Sequence, residues 1–177
     1  TGAATPTDCS PGTYSNTPEA PICTKCTAGS FQDGTRQTAC VDCTPGSYCA
    51  EGASAALPCP SGTFSNATGL ADSDQCTECL LGHFCFAGAT EASPCSKGTY
   101  AANASSQLCT ACAEGKYQGA TGATACEDCG TGFTCPEGSS QPIPAVCEAG
   151  TFLDSELAKV LDDPLDACVG CRAGSWC

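Results

Sequence analysis

Cysteine is the residue best able to do chemistry in this sequence, with 20 copies in 177 positions. Six pairs have the spacing Cys-x2-Cys: Cys23/Cys26, Cys40/Cys43, Cys76/Cys79, Cys109/Cys112, Cys126/Cys129 and Cys168/Cys171. Two such pairs about a dozen residues apart approach a four-cysteine zinc site, as in Cys23, Cys26, Cys40 and Cys43, repeated at Cys109, Cys112, Cys126 and Cys129. Zinc would strand Cys9, Cys49, Cys95 and Cys135 as bare thiols, so no metal and no other cofactor is expected. A thioredoxin-like redox role fits less well, because no βαβ pattern surrounds any of the pairs.

Other reactive groups are sparse. His83 is the single histidine, with no second base and no nucleophile in reach of it along the chain. Acid–base catalysis has little to work with, and the chain is read as not an enzyme. Acidic residues gather at Asp72 and Asp74 and at Asp162, Asp163 and Asp166, but neither group has the spaced oxygen ligands of a calcium loop. They read as solvated surface. Asn66-Ala67-Thr68 and Asn103-Ala104-Ser105 are N-glycosylation sequons, whereas Asn16 is followed by Thr17-Pro18 and is not one. Covalent glycans are therefore expected on Asn66 and Asn103.

The positioning elements are the cysteines themselves. Taken in order, each odd-numbered cysteine (Cys9, Cys26, Cys43, Cys59, Cys79, Cys95, Cys112, Cys129, Cys147 and Cys171) has Gly three residues later. Nine of these ten also have an aromatic five residues later, and the tenth has Phe133 one place early. None of the even-numbered cysteines carries the full signature. Openers and closers thus alternate, and the simplest pairing joins each opener to the next closer. The expected bonds are Cys9–Cys23, Cys26–Cys40, Cys43–Cys49, Cys59–Cys76, Cys79–Cys85, Cys95–Cys109, Cys112–Cys126, Cys129–Cys135, Cys147–Cys168 and Cys171–Cys177.

The loops so defined alternate between long and short modules: 9–49 long, 59–85 short, 95–135 long and 147–177 short. Residues 1–8, 50–58, 86–94 and 136–146 are linkers by composition. Gly after each opener suits a tight turn, and the Thr-Tyr or Thr-Phe pairs that follow suit two-residue strands. A helical pattern occurs at Ser155–Asp162, with Ser155 as cap, Leu157, Val160 and Leu161 on one face and Pro164 beyond. The fold class expected is a small disulfide-rich repeat array of short β-hairpins and turns with little helix (155–162), forming an elongated rod. The aromatics are expected to cover disulfides rather than to bind ligands.

Composition bounds the setting. Leu, Ile, Val and Phe number 21, about 12% of the chain, too few for a conventional core. Disulfides must supply what the core does not, at about 3 kcal/mol for a 15-residue loop. Bonds in this number form in an oxidising compartment, so the chain is expected to be extracellular or at a cell surface. A net charge of −13 with six Lys plus Arg argues against nucleic acid and anionic membranes. No run approaches the ~20 apolar residues of a membrane span, and there is no initiating Met or signal peptide, as in a mature chain or a fragment.

Units such as CSPGTYSNTPEAPICTKC, CPSGTFSNATGLADSDQCTEC and CSKGTYAANASSQLCTAC resemble the ephrin-receptor-like cysteine-rich repeat, related in style to TNF-receptor and EGF-like modules. The alternation departs from TNF receptors, whose pairs interleave. Such repeats serve in receptors, adhesins, cyst walls and flagellar hairs (mastigonemes). The function expected is a structural segment of an extracellular cysteine-rich glycoprotein: a rod, stalk or filament such as a flagellar hair, sheath or wall fibre. Its partners would be copies of itself or flanking repeats of a longer chain. The alternative is a receptor or adhesion ectodomain binding a protein ligand, with Leu80, Leu81, Phe84 and Phe86 as the candidate patch.

Overall fold

The computed structural model describes residues 8–16, 22–145, 151–153 and 168–170. The helical pattern at 155–162 lies outside them, as do Cys147, Cys171 and Cys177. The described chain is built of short antiparallel hairpins, with one 3-10 turn at Ser73–Gln75. Two compact units are present: Thr1–Leu80 with Phe84–Ser93 and Ala104–Leu108, and Leu81–His83 with Pro94–Asn103 and Cys109–Cys177.

Each hairpin has the same origin. The glycine after an opener turns the chain, and the residues after it pair with those just before the following opener, directly before it from Cys9 to Cys112 and two residues further back in the Cys129 repeat. In the first unit Thr13–Tyr14 pairs with Thr24–Lys25, Ser30–Phe31 with Val41–Asp42, Ser47–Tyr48 with Leu57–Pro58 and Thr63–Phe64 with Thr77–Glu78. In the second, Thr99–Tyr100 pairs with Thr110–Ala111, Lys116–Tyr117 with Glu127–Asp128 and Phe133–Thr134 with Ile143–Pro144. A three-residue hairpin joins Thr151–Leu153 to Cys168–Gly170.

Residues 50–58 and 86–94 are linker-like in composition, yet they complete repeats. Leu57–Pro58 is a ladder strand, Ala89 is buried, and Ala53 and Ala89 form bridges to Phe31 and Phe64 of the preceding repeats. The structural repeat therefore runs from one opener to the next, finer than the modules that disulfide spacing suggests. The repeats fall into two kinds, according to whether the disulfide closes early or late.

A regular set of backbone hydrogen bonds joins each repeat to the next. The N–H of Gly29 donates to the Cys49 carbonyl at 2.8 Å, and that of Cys43 donates back to the Gly29 carbonyl at 2.9 Å. The N–H of Gln32 donates to Ala53, and the N–H of Gly52 to Cys26. The second unit repeats the pattern: Gly98 donates to Gln118, Cys112 to Gly98, Ala101 to Ala123 and Gly122 to Cys95. Backbone groups, which must be paired when buried, are satisfied here between repeats rather than inside a sheet of several strands. No buried side-chain nitrogen or oxygen lacks a partner among the described residues.

Contact also reaches the repeat after next. Gly12 has φ +84, and a Cβ there would run into the carbonyl of Gly52, two repeats on. Gly62, at φ +86, stands in the same way against the Ser105 carbonyl. Such a position demands glycine twice over, for the turn and for the close approach. The turn alone is legible in the sequence.

Candidate functional site

Eight disulfides lie among the described residues: Cys9–Cys23, Cys26–Cys40, Cys43–Cys49, Cys59–Cys76, Cys79–Cys85, Cys95–Cys109, Cys112–Cys126 and Cys129–Cys135. Each joins an opener to the next closer. Cα–Cα separations run from 5.5 Å (Cys9–Cys23) to 6.2 Å (Cys43–Cys49), within the usual disulfide span. The two cysteines of each described Cys-x2-Cys pair belong to different bonds: the sulfur of Cys23 is bonded to that of Cys9, that of Cys26 to that of Cys40, and that of Cys43 to that of Cys49. Cys147, Cys171 and Cys177 fall outside the described residues, and with them the expected pairs Cys147–Cys168 and Cys171–Cys177.

The sixth residue after each opener from Cys26 to Cys129 is buried, whereas Ser15 after Cys9 is half-buried, and this position is the key to the two kinds of repeat. In early-closing repeats it is the closer itself: Cys49, Cys85 and Cys135, all buried. In late-closing repeats the same register holds Gln32, Ser65, Ala101 and Gln118, also buried. The two glutamines fold back on their own loops. Gln32 Nε2 donates to the Ala39 carbonyl at 2.7 Å while its Oε1 accepts from Gly34 N–H at 2.9 Å. Gln118 does the same with Ala125 at 2.7 Å and Ala120 at 2.8 Å. In the repeats opened by Cys26 and Cys112, where no disulfide closes the near end of the loop, a carboxamide does. The sequence carried this signal at a fixed offset from the opener, but only the inward-facing register gives it meaning.

Openers Cys26, Cys43, Cys59, Cys79, Cys95 and Cys112 are fully buried, and the apolar cluster of Cys79, Cys85 and Ala89 has Phe64 and Ala92 packed on it. Phe64 of one repeat thus covers the Cys79–Cys85 disulfide of the next. Phe133 breaks the column. It comes one place early, so the strand's alternation turns it to the other face, and it is 39% exposed with Thr134 in the usual aromatic place.

The remaining candidates are placed as follows. His83 Nδ1 lies 3.0 Å from the Leu81 carbonyl oxygen. Asp72 caps the Ser73–Gln75 turn: its carboxylate accepts from Asp74 N–H, and Gln75 Oε1 accepts from the Asp72 N–H, a reciprocal capping box. Asp162, Asp163 and Asp166 fall outside the described residues. Leu80, Leu81 and Phe86 are 60%, 54% and 60% exposed, and Phe84 is half-buried. Asn66 and Asn103 are exposed, as is Asn16. No helix among the described residues is long and apolar enough to cross a membrane.

Electrostatics are confined to the surface. Arg36 donates to both carboxylate oxygens of Asp8, at 2.6 and 2.9 Å, which holds the Asp8 carboxyl below its ordinary range and raises the guanidinium. The Tyr117 hydroxyl donates to Glu127 Oε2 at 2.9 Å, and that bond raises the phenol. Lys116 pairs with Asp128 on the same hairpin.

Residues 82–129 match the family model described as "tyrosine-protein kinase ephrin type A/B receptor-like". Residues 82–129 carry ephrin-receptor-like cysteine-rich repeats. A search of curated proteins finds no match to the chain. The ephrin-receptor-like stretch spans the openers Cys95, Cys112 and Cys129, and the same glycine turns and ladder bonds recur outside it at Gly12, Gly29, Gly46 and Gly62. The protein is an extracellular-type cysteine-rich repeat domain, held by disulfides and by bonds between repeats.

Proposed function

We propose that this chain is a mechanical segment of a secreted or cell-surface protein: a rod, stalk or filament rather than a catalyst. The observation that carries the reading is the recurrent ladder, in which the repeats opened by Cys9, Cys26, Cys43, Cys59, Cys79, Cys95 and Cys112 each offer the next the same glycine N–H and opener carbonyl. Repeats that touch mainly through such fixed neighbour bonds make quasi-one-dimensional arrays. Its partners are flanking repeats or further copies of itself, meeting through heterologous contacts of the kind that build open filaments. No step of catalysis is assigned to His83, whose ring sits against a loop carbonyl.

A receptor or adhesion role is the second reading, favoured by the exposure of Leu80 and Phe86. Negative-stain imaging of native material separates the two. Fibres or stalks containing the segment support the mechanical reading. A lone monomer that binds a defined protein ligand with high affinity, and loses it on Leu80→Ser with Phe86→Ser, overturns it.

A further inference from the structure

We propose that Asn66 and Asn103 are N-glycosylated, and that Asn103 receives its glycan before its part of the chain folds. The proposal rests on passage through a secretory compartment, which the disulfides require, and not on the mechanical reading.

Both sequons follow a buried sixth residue, and there the chain turns outward. Ser65 and Ala101 are buried and donate their N–H groups to Ala89 and Ala123, whereas Asn66, Thr68, Asn103 and Ser105 are all exposed. A bulky polar glycan at either exposed asparagine therefore meets solvent. Asn16 occupies the same offset from its opener as Asn66, but Pro18 stands where a hydroxyl is needed.

The sequons differ in what the fold does to the hydroxyl residue. In each described repeat one residue with positive φ donates its N–H to the previous opener's carbonyl: Gly69 to Cys43 at 2.9 Å, Gly122 to Cys95 at 2.8 Å. In the first sequon Thr68 precedes this position, which Gly69 fills. In the second, Ser105 fills it, at φ +58, with its N–H donated to Cys79 at 2.9 Å and its carbonyl against Gly62. Transfer requires the enzyme to grip the asparagine amide and the hydroxyl side chain together, and the ladder fixes Ser105 in a left-handed conformation with both backbone groups engaged. In the reaction the Asn Nδ2 forms a bond to the anomeric carbon of a lipid-diphosphate-linked oligosaccharide. The bond from that carbon to the carrier phosphate breaks, the lipid diphosphate leaves, and one amide proton is released.

The test expresses the chain in a eukaryotic secretory host and maps peptides by mass spectrometry after enzymatic deglycosylation in heavy-oxygen water. Asn66 and Asn103 are expected to be labelled in most molecules, and Asn16 in none. Thr68→Ala abolishes the first glycan. Ser105→Gly abolishes the second while suiting the backbone position, and Pro18→Thr gains one at Asn16. Bare Asn66 and Asn103 in material from a host that modifies a control sequon overturn the proposal. For the order of events, oxidised and reduced, alkylated forms of the unglycosylated chain are incubated with purified oligosaccharyltransferase and lipid-linked oligosaccharide. Modification of Asn103 is expected only in the reduced form, and equal rates in both overturn the ordering. Both readouts are the same for monomers and polymers, so they stand apart from the imaging test.

Discussion

The Gln118 side chain donates to the carbonyl of Ala125 at 2.7 Å from a buried register that cysteine fills elsewhere in the chain. Replacing it tests whether the carboxamide is a true stand-in for a cross-link. Gln118→Ala leaves the Ala125 carbonyl and the Ala120 N–H without their partner. Both partners belong to exposed residues that water can reach, so the expected cost is that of an ordinary hydrogen bond, about 0.5–1.5 kcal/mol. Denaturant unfolding with the disulfides intact measures it, and Gln32→Ala should behave alike. An unchanged midpoint for both variants would show the two bonds to be incidental.

Disulfide reduction should proceed in two stages. Both ends of Cys43–Cys49, Cys79–Cys85 and Cys129–Cys135 are buried, whereas the late closers Cys23, Cys40, Cys109 and Cys126 are only half-buried. Exchange needs the attacking thiolate to reach a sulfur. Under limiting reductant the four bonds with a half-buried closer should open first, ahead of Cys59–Cys76, whose two ends are both buried, and trapping with an alkylating agent followed by peptide mapping reads the order. Early loss of Cys79–Cys85 would contradict it.

Glycine at the turns is expected to be irreplaceable where another repeat lies against it. Gly62→Ala meets the Ser105 carbonyl and also adopts a left-handed backbone, a conformation that costs an L residue about 1–2 kcal/mol before any clash. It should unfold or mispair its region, visible as scrambled disulfides. Ser105→Gly should be neutral or stabilising by up to about 1 kcal/mol, because the left-handed strain it relieves outweighs the extra freedom of an unfolded glycine. Secreted yield and midpoint compare the two.

The Asp8 carboxyl should titrate below its ordinary value of about 3.9. A carboxylate whose folded pKa is depressed contributes stability that is present above the unfolded value and lost as pH falls through the folded one. Any weakening of this pair therefore appears only in acid. Both partners are well exposed, so the effect on the melting temperature should be slight. Carboxyl chemical shifts against pH measure the shift, and Arg36→Gln should return Asp8 to the ordinary range.

How far the sequence spoke can be judged residue by residue. Opener and closer were separable because Gly and an aromatic follow only one of them, and the hairpin strands sit where the Thr-Tyr and Thr-Phe pairs do. The stretches 50–58 and 86–94 hold bridging residues that their composition does not announce, for a physical reason. Small residues such as Ala53 and Ala89 suggest flexibility in a list of letters, but here they are the size that lets one repeat bridge to another. Arg36 and Ser105 were illegible as well. They occupy a left-handed position that glycine holds elsewhere, and no local pattern distinguishes them. Likewise, the inward role of Gln32 and Gln118 depends on a strand register that only folding defines.

The reach of Gly12 to Gly52 and of Gly62 to Ser105 has a consequence for failure. Each passes over an intervening repeat, like planks lapped across a joint. Opening one disulfide, or pulling one hairpin loose, leaves the repeats on either side still in touch through that overlap. Damage should then stay local and heal in register, since the neighbours keep the gap at its proper width while the strayed segment returns.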